Sequence, residues 1–255
     1  MPTSTDQIAL WDPSSFRNQP HGYVLLLLNQ QIKDITFLKY LWTNAKFRVC
    51  GDGGGNQLYD ALDEKQRGAY TPNAICGDLD SLRPEVQEYY ASVGVDVVHD
   101  PDQDSTDFGK CLDYIQKHYR PSIPGKLVDH VTIFVYNALG GRMDHAFHSI
   151  HQLHLAISQQ RRKIFLLSEE GITFLLVKGE NQISLPKEVF GPACGIIPVG
   201  GPSVITTKGL VWDVTDWETT FGGKVSTSNV LNEEVVTVFT TEPVLFTVEI
   251  KAAVF

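Results

Sequence analysis

The chain is poor in clustered positive charge. It has 21 Lys and Arg against 30 Asp and Glu, a formal charge of −9, and no basic run larger than Arg161-Arg162-Lys163. Such a balance repels phosphate backbones, so no nucleic-acid partner is expected. Long apolar runs are missing as well: the longest in the first half, Tyr23 to Leu28, falls far short of the ~20 residues a membrane-crossing helix needs. No membrane role is expected. The first twenty residues are polar, contain Asp6, Asp12 and three prolines, and lack the basic start and apolar centre of a secretion signal. The four cysteines, Cys50, Cys76, Cys111 and Cys194, are scattered without a Cys-x-x-Cys pair, which argues against a metal knuckle or disulfide framework and for a reducing, cytoplasmic setting. Nor does the chain contain the Gly-x-x-x-x-Gly-Lys-Ser/Thr loop of the common nucleotide-triphosphate folds.

What is present is a globular composition, 42% hydrophobic and 20% charged over 255 residues, enough to bury a core without covalent staples. Through residue 170 the pattern alternates short apolar strands (Tyr23–Leu28, Phe47–Cys50, Asn73–Cys76, Val95–His99, Val131–Val135, Lys163–Leu167) with helical segments (Ile32–Ala45, Asn56–Leu62, Pro84–Val93, Thr106–Tyr119, Met143–Ser158). That alternation predicts an α/β fold, an open and mostly parallel sheet with helices on both faces. From residue 171 the texture becomes β-branched and is broken by Gly, Pro and Asn. Strands are expected at Ile172–Val177, Asn181–Leu185, Gly195–Val199, Ser203–Thr207, Leu210–Val214, Lys224–Thr227, Val235–Thr240 and Leu245–Ile250, an all-β sandwich or barrel-like domain. The expected organisation is therefore an N-terminal arm (1–21), an α/β domain (22–170) and an all-β domain (171–255).

Charge is concentrated. Residues 76–113 hold ten acids against Arg83 and Lys110, a local charge of −8. Ligands of open parallel sheets collect at the carboxyl ends of the strands, and the polar residues gather at those ends. Gly51-Asp52-Gly53-Gly54-Gly55-Asn56 would let backbone N–H groups approach a phosphate, or would simply make a tight turn; Asn56 stands where the dinucleotide fingerprint needs its last glycine. Asp78 and Asp80, two residues apart, would point to one side of an extended segment as a magnesium pair requires, or Asp80 would cap the helix opened by Pro84. Asp104 and Asp107 either join them or complement a helix dipole worth about 0.3–1 kcal/mol. Crowded carboxylates favour the cation, which would relieve their repulsion. His145, His148, His151 and His154 rotate by ~60° per step around one helix and fan out rather than converge on zinc; of the four, His145 lies nearest the presumed site.

Five motifs in order carry a resemblance: Phe47–Asp60 around the glycine run, Gly77–Val86 beginning Gly77-Asp78-Leu79-Asp80-Ser81, Pro101–Phe108, Gly141-Arg142-Met143-Asp144-His145, and Val225–Asn229. Together they resemble the eukaryotic thiamin pyrophosphokinase family, from roughly Gly22 onward. The resemblance implies transfer of the terminal diphosphate of Mg-ATP to the hydroxyl of thiamin, giving thiamin diphosphate and AMP. It implies Asp78, Asp80 and Asp107 as Mg²⁺ ligands with Asp52 beside them, and Asn29, Gly53, Gly54, Asn56, Thr106, Lys110, Arg142, Asp144 and His145 as nucleotide-binding residues. For thiamin it implies Gln103, Asp104, Trp212, Ser226, Thr227, Ser228 and Asn229, in a homodimer with its active sites at the subunit interface. Core is the commoner fate of a strand tryptophan, so Trp212 stands as a candidate only, and Arg142 is the obvious guanidinium for phosphate oxygens, its alternative being a surface pair with Asp144. Where the family usually has a Gly-Gly pair, four residues before its Gly-Arg-x-Asp motif, this chain has Asn137-Ala138, whose side chains hinder the closest backbone approach to a phosphate. An aspartate cluster alone would also serve a phosphohydrolase, but an early Asp-x-Asp-x-Thr nucleophile motif is absent.

Overall fold

The structure, a computed structural model, describes residues 8–17, 22–120, 131–160 and 163–251. The chain divides into two compact units. One runs from Phe16 to Glu169; the other joins the residues through Ser15 to those from Glu170 onward. The first strand, β1 (Ala9–Trp11), belongs to the second of these.

The first unit is built on β2 (Val24–Leu27), β3 (Phe47–Gly51), β4 (Ala74–Gly77), β5 (Asp96–His99), β6 (Thr132–Tyr136) and β7 (Lys163–Leu167). Their order is β7-β6-β2-β3-β4-β5, with every neighbouring pair parallel. β2 and β6 are buried along their whole length, as the continuous apolar runs of a sheet covered on both faces require. Between the strands lie α1 (Ile35–Asn44), α2 (Gly54–Ala61), the single turn α3 (Glu64–Arg67), α4 (Pro84–Ser92), α5 (Asp107–His118) and α6 (Met143–Gln160). Alternation on β4 shows the two faces. The Ile75 side chain lies where a Cβ on Gly55 of α2 would meet it at 3.0 Å, while the thiol of its neighbour Cys76 lies against the free thiol of Cys111 on α5.

α1, α3 and α5 begin where side-chain acceptors take up otherwise unpaired N–H groups. Asp34 takes the N–H groups of Thr36 and Phe37 at 2.8 and 3.0 Å, so α1 starts at Ile35, three residues later than the apolar period suggests. Pro84 opens α4, and Thr106 caps α5. Phe108, Cys111, Leu112 and Ile115 form the buried stripe of α5, as the sequence spacing predicts.

The second unit contains β8 (Gly171–Leu176), β9 (Gly179–Ser184), β10 (Phe190–Ile197), β11 (Ser203–Lys208), β12 (Trp217–Thr219), β13 (Ser226–Val230), β14 (Val235–Thr240) and β15 (Val244–Ile250). One sheet has the order β1-β9-β14-β11-β12 and the other runs β13-β10-β15-β8. All pairs within them are antiparallel except β1 with β9. β1 lies in the segment that sequence reads as an arm. It is held by Trp11, whose indole N–H donates to Asn181 at 3.0 Å and whose ring meets Phe174 of the facing sheet at 5.2 Å.

The expected strand at Leu210–Val214 is a loop instead. The Asp213 carboxylate accepts from Thr207 Oγ1 and from the N–H groups of Gly209 and Leu210, and these side-chain bonds replace a ladder. The strand expected at Lys224–Thr227 begins at Ser226, and short β12 was not anticipated.

Candidate functional site

In the first unit the chain runs from β2 outward through β3, β4 and β5, then returns to place β6 on the other side of β2. The order reverses between β2 and β6, and parallel sheets bind ligands in the crevice at such a reversal. A cleft of about 470 Å³ opens there. It is lined by the loops after β2 (Leu28 to Gln30), β3 (Gly51, Asp52) and β6 (Asn137, Ala138), together with Asp78, the start of α5 and one face of α6.

Three carboxylates meet at its floor. Asp52 follows β3, Asp78 follows β4 and Asp107 opens α5, and one oxygen of each lies within 4.8 Å of the others. Gly77 makes this approach possible, since a Cβ there would stand 2.7 Å from both Asp107 Oδ1 and the Asp52 Cβ.

Their environments differ. Asp52 is 2% exposed; its Oδ2 accepts from the Ser81 N–H at 3.1 Å, and its Oδ1 is buried with no hydrogen-bond partner. Burial first, and the charges of Asp107, Asp80 and Asp78 after it, push its carboxyl up to about 6 despite the Ser81 N–H. Burial and Asp78 likewise raise Asp107. Asp78 is held low, chiefly by the Asp80 N–H, with help from the Gln103 amide and the charge of Lys110.

Asp80 is not in this group. Leu79 has φ +62°, so residues 78–80 are not extended, and Asp80 comes back to Asp78 through a turn. Asp80 Oδ1 instead accepts from Ser81 Oγ at 2.9 Å. Its backbone N–H and its carboxyl both help hold Asp78 low, and its charge adds to the rise of Asp52 and Asp107.

Of the other residues singled out from sequence, Asn29, Thr106, Asp144 and His145 line the cleft. Gly53 and Gly54 do not; Cβ atoms there would lie 2.2 Å from the Asn29 amide and 2.5 Å from the Leu27 carbonyl. The glycine run thus seats α2 against the end of β2. Asn56 is committed to the loop after β4, donating to Ser81 O at 2.7 Å and accepting from the Arg83 N–H. Lys110 is buried at 4% exposure, one turn along α5 from Asp107. Arg142 and Asp144 form a forked pair at 2.6 and 3.1 Å, with both side chains mostly in solvent. Such a pair is worth less than about 1 kcal/mol and is easily exchanged for a ligand. Asp104 is exposed, and its N–H donates to Asp102. Gln103 reaches Asp78 Oδ2 at 3.4 Å.

In the second unit a smaller pocket of about 220 Å³ is lined by Trp212, Trp217, Thr207, Ser226, Thr227 and Asn229, among others. Trp212 is 59% exposed and is not core. Its peptide is clamped by Asn229, which donates to Trp212 O at 3.0 Å and accepts from Trp212 N at 3.3 Å. Ser228 takes φ +57° and is not among the lining residues.

Sequence reasoning missed Gln30, Ser81, His148, Ser149 and Trp217. In the sequence Asn137 stands out only as a departure from the family's glycine pair. It adopts φ +63°, the left-handed region that a glycine would occupy, and its side chain donates to Gln30 O at 2.8 Å, tying the loop after β2 to the end of β6. The four histidines of α6 do fan out: His145 and His148 face the cleft, while His151 is exposed.

Comparison with known proteins follows the same division of the chain. Residues 38–166 match the family model described as thiamin pyrophosphokinase, catalytic domain, and residues 180–245 match thiamin pyrophosphokinase, vitamin B1 binding domain. Thiamine pyrophosphokinase 3 of Oryza sativa subsp. japonica is 40% identical, the match covering 90% of this chain and 88% of that protein. Thiamine pyrophosphokinase of Saccharomyces cerevisiae is 31% identical over 83% of this chain and 80% of its own length. The solved thiamin pyrophosphokinase from Candida albicans superposes with a TM-score of 0.86 at 31% identity, covering 98% of this chain and 96% of the other. With catalytic and vitamin-binding models both matched in order and relatives aligned along most of its length, the chain belongs to the thiamin pyrophosphokinase family.

Proposed function

We propose that the protein transfers the β,γ-diphosphate of ATP to the hydroxyl of thiamin, yielding thiamin diphosphate and AMP. The thiamin oxygen bonds to the β-phosphorus as its hydroxyl proton passes to solvent, the bond from that phosphorus to the α-phosphate's bridging oxygen breaks, and AMP leaves with the electron pair. The observation that carries this reading is the convergence of Asp52, Asp78 and Asp107 at the switch-point crevice, where one Asp52 oxygen is buried without a partner.

These residues fit a magnesium ion. All three donors are hard carboxylate oxygens, two of them are raised by burial and mutual repulsion, and a cation would satisfy the orphaned Oδ1. When bound, the ion would supply charge stabilisation for the phosphate oxygens. The chain's own groups would do the rest. The Ser81 N–H orients Asp52, the Asp80 N–H and Gln103 hold Asp78, and Lys110 offsets part of the cluster's charge. Asn29, His145 and Asp144 line the nucleotide's cleft, and Arg142, once released from Asp144, would meet phosphate oxygens with its fork. Gln103 would pair with the aminopyrimidine.

Thiamin would stack on Trp212 in the pocket bearing Ser226 and Thr227. We further read the active species as a homodimer whose sites draw on both subunits, at work in the cytoplasm. No helix among the described residues is long and apolar enough to cross a membrane, and the four cysteines are free. The test is product analysis: with Mg-ATP and thiamin, AMP and thiamin diphosphate should form one to one. ADP with thiamin monophosphate, or phosphate release without thiamin, would overturn the reading.

A further inference from the structure

α5 carries Asp107 at its first position and is capped by Thr106. The cap is weak by itself: Thr106 Oγ1 accepts from the Gly109 N–H at 3.5 Å, the outer limit for such a bond. What fixes the threonine lies on another helix. Thr106 Oγ1 stands 2.6 Å from His148 Nε2, and Gln152, one turn further along α6, reaches the same ring nitrogen at 2.9 Å. The Gln152 amide nitrogen can only donate, so the ring nitrogen it reaches carries no proton and accepts from the Thr106 hydroxyl as well. Burial, followed by the nearby His151 and His145, favours the uncharged ring that this requires. The carboxylate of Asp107 has little other restraint, since it accepts from the Asp78 N–H only at 3.4 Å. Its place therefore depends on how firmly the backbone at Thr106 and Asp107 is held.

We infer that His148 is a positioning residue, which locks Thr106 at the N-terminus of α5 and thereby sets Asp107 against Asp52 and Asp78 for a divalent cation. This rests on the carboxylate reading above and adds to it a residue on α6 that touches none of the three acids through a hydrogen bond. It also assigns the Thr106 hydroxyl to this link rather than to nucleotide phosphate.

The experiment titrates Mn²⁺ into the full-length protein without nucleotide, following free Mn²⁺ by electron paramagnetic resonance, with ATP KM and kcat measured alongside. His148→Ala and Thr106→Val should each weaken Mn²⁺ binding roughly tenfold. The double variant should be no weaker than either single one, because both remove the same link. His148→Gln, whose side-chain oxygen can stand near the lost Nε2, should restore binding. That variant also carries the test if His148→Ala proves unfolded by circular dichroism. Unchanged Mn²⁺ binding in His148→Ala and Thr106→Val, additive losses, or a raised ATP KM with Mn²⁺ affinity intact would overturn the inference, the last by making His148 a direct nucleotide contact. If the unaltered protein takes up no Mn²⁺, the carboxylate reading itself falls and this role falls with it. If it does and His148→Ala matches it, this role alone is removed.

Discussion

At the scale of single residues, Asp52 is the most strained group of the site. A carboxyl raised to about 6, from ~3.9 in an unfolded chain, means that the folded state binds the proton more tightly. Its contribution to stability is therefore lost as pH rises from ~4 through 6. Cation-free protein should lose thermal stability over that window, and Asp52→Asn should remove this part of the pH dependence. The variant should also melt roughly 2–5 °C higher at pH 7, while turnover falls by about a hundredfold or more. Calorimetry across pH checks the first statement and steady-state kinetics the second. Asp78→Asn should likewise abolish most activity with the fold intact. Asp80→Asn should cost less than about tenfold, because this carboxylate is exposed and partly screened by solvent and its backbone N–H to Asp78 remains. Equal losses at Asp78 and Asp80 would return the metal set to the one expected from sequence spacing.

Elements matter where one holds another in register. Asn137, at φ +63° and 5% exposed, joins the end of β6 to the loop after β2. Asn137→Ala combines lost hydrogen bonding with backbone strain and should destabilise by about 2 kcal/mol in urea unfolding. Asn137→Gly keeps the favourable backbone and should cost distinctly less. A parallel case is Asn229, on β13, which clamps the peptide of Trp212. Trp212→Ala should raise the thiamin KM by about tenfold and leave the ATP KM unchanged. Asn229→Ala should do the same in smaller measure and make the Trp212 indole more accessible to acrylamide quenching. Equal shifts in both KM values would remove Trp212 from the thiamin site.

On the scale of the whole molecule, the proposed dimer makes an arithmetical prediction. If each active site draws its carboxylates from one subunit and its Trp212 from the other, mixing inactive Asp78→Asn with weakened Trp212→Ala protein should regenerate intact sites in the hybrids. After subunit exchange, activity should recover to about a quarter of the unaltered level. No recovery despite demonstrated exchange would place both residues' work within one subunit. The β unit in turn depends on the chain's first strand: Trp11→Ala breaks the bond to Asn181 and empties the contact with Phe174. It should cost about 3–5 kcal/mol, visible as a lowered unfolding midpoint.

Much of this was legible in the amino-acid order. Hydrophobic period and chain-order alternation give the α/β unit and the β unit, because those periods state which side chains must leave water. Motif chemistry places Asp52, Asp78 and Asp107 at strand ends. What sequence could not decide depends on backbone turns and cross-chain contacts. The left-handed Leu79 turns the chain between Asp78 and Asp80, and the missing Cβ of Gly77 admits Asp107. The carboxylate of Asp213 curls an alternating segment into the loop that exposes Trp212. His148 meets Thr106 across 42 residues. Local pattern fixes which residues are buried and in which element they stand; which oxygens and nitrogens finally face one another is decided only when the elements pack, since a single φ or a single absent methyl redirects a side chain that no periodicity describes.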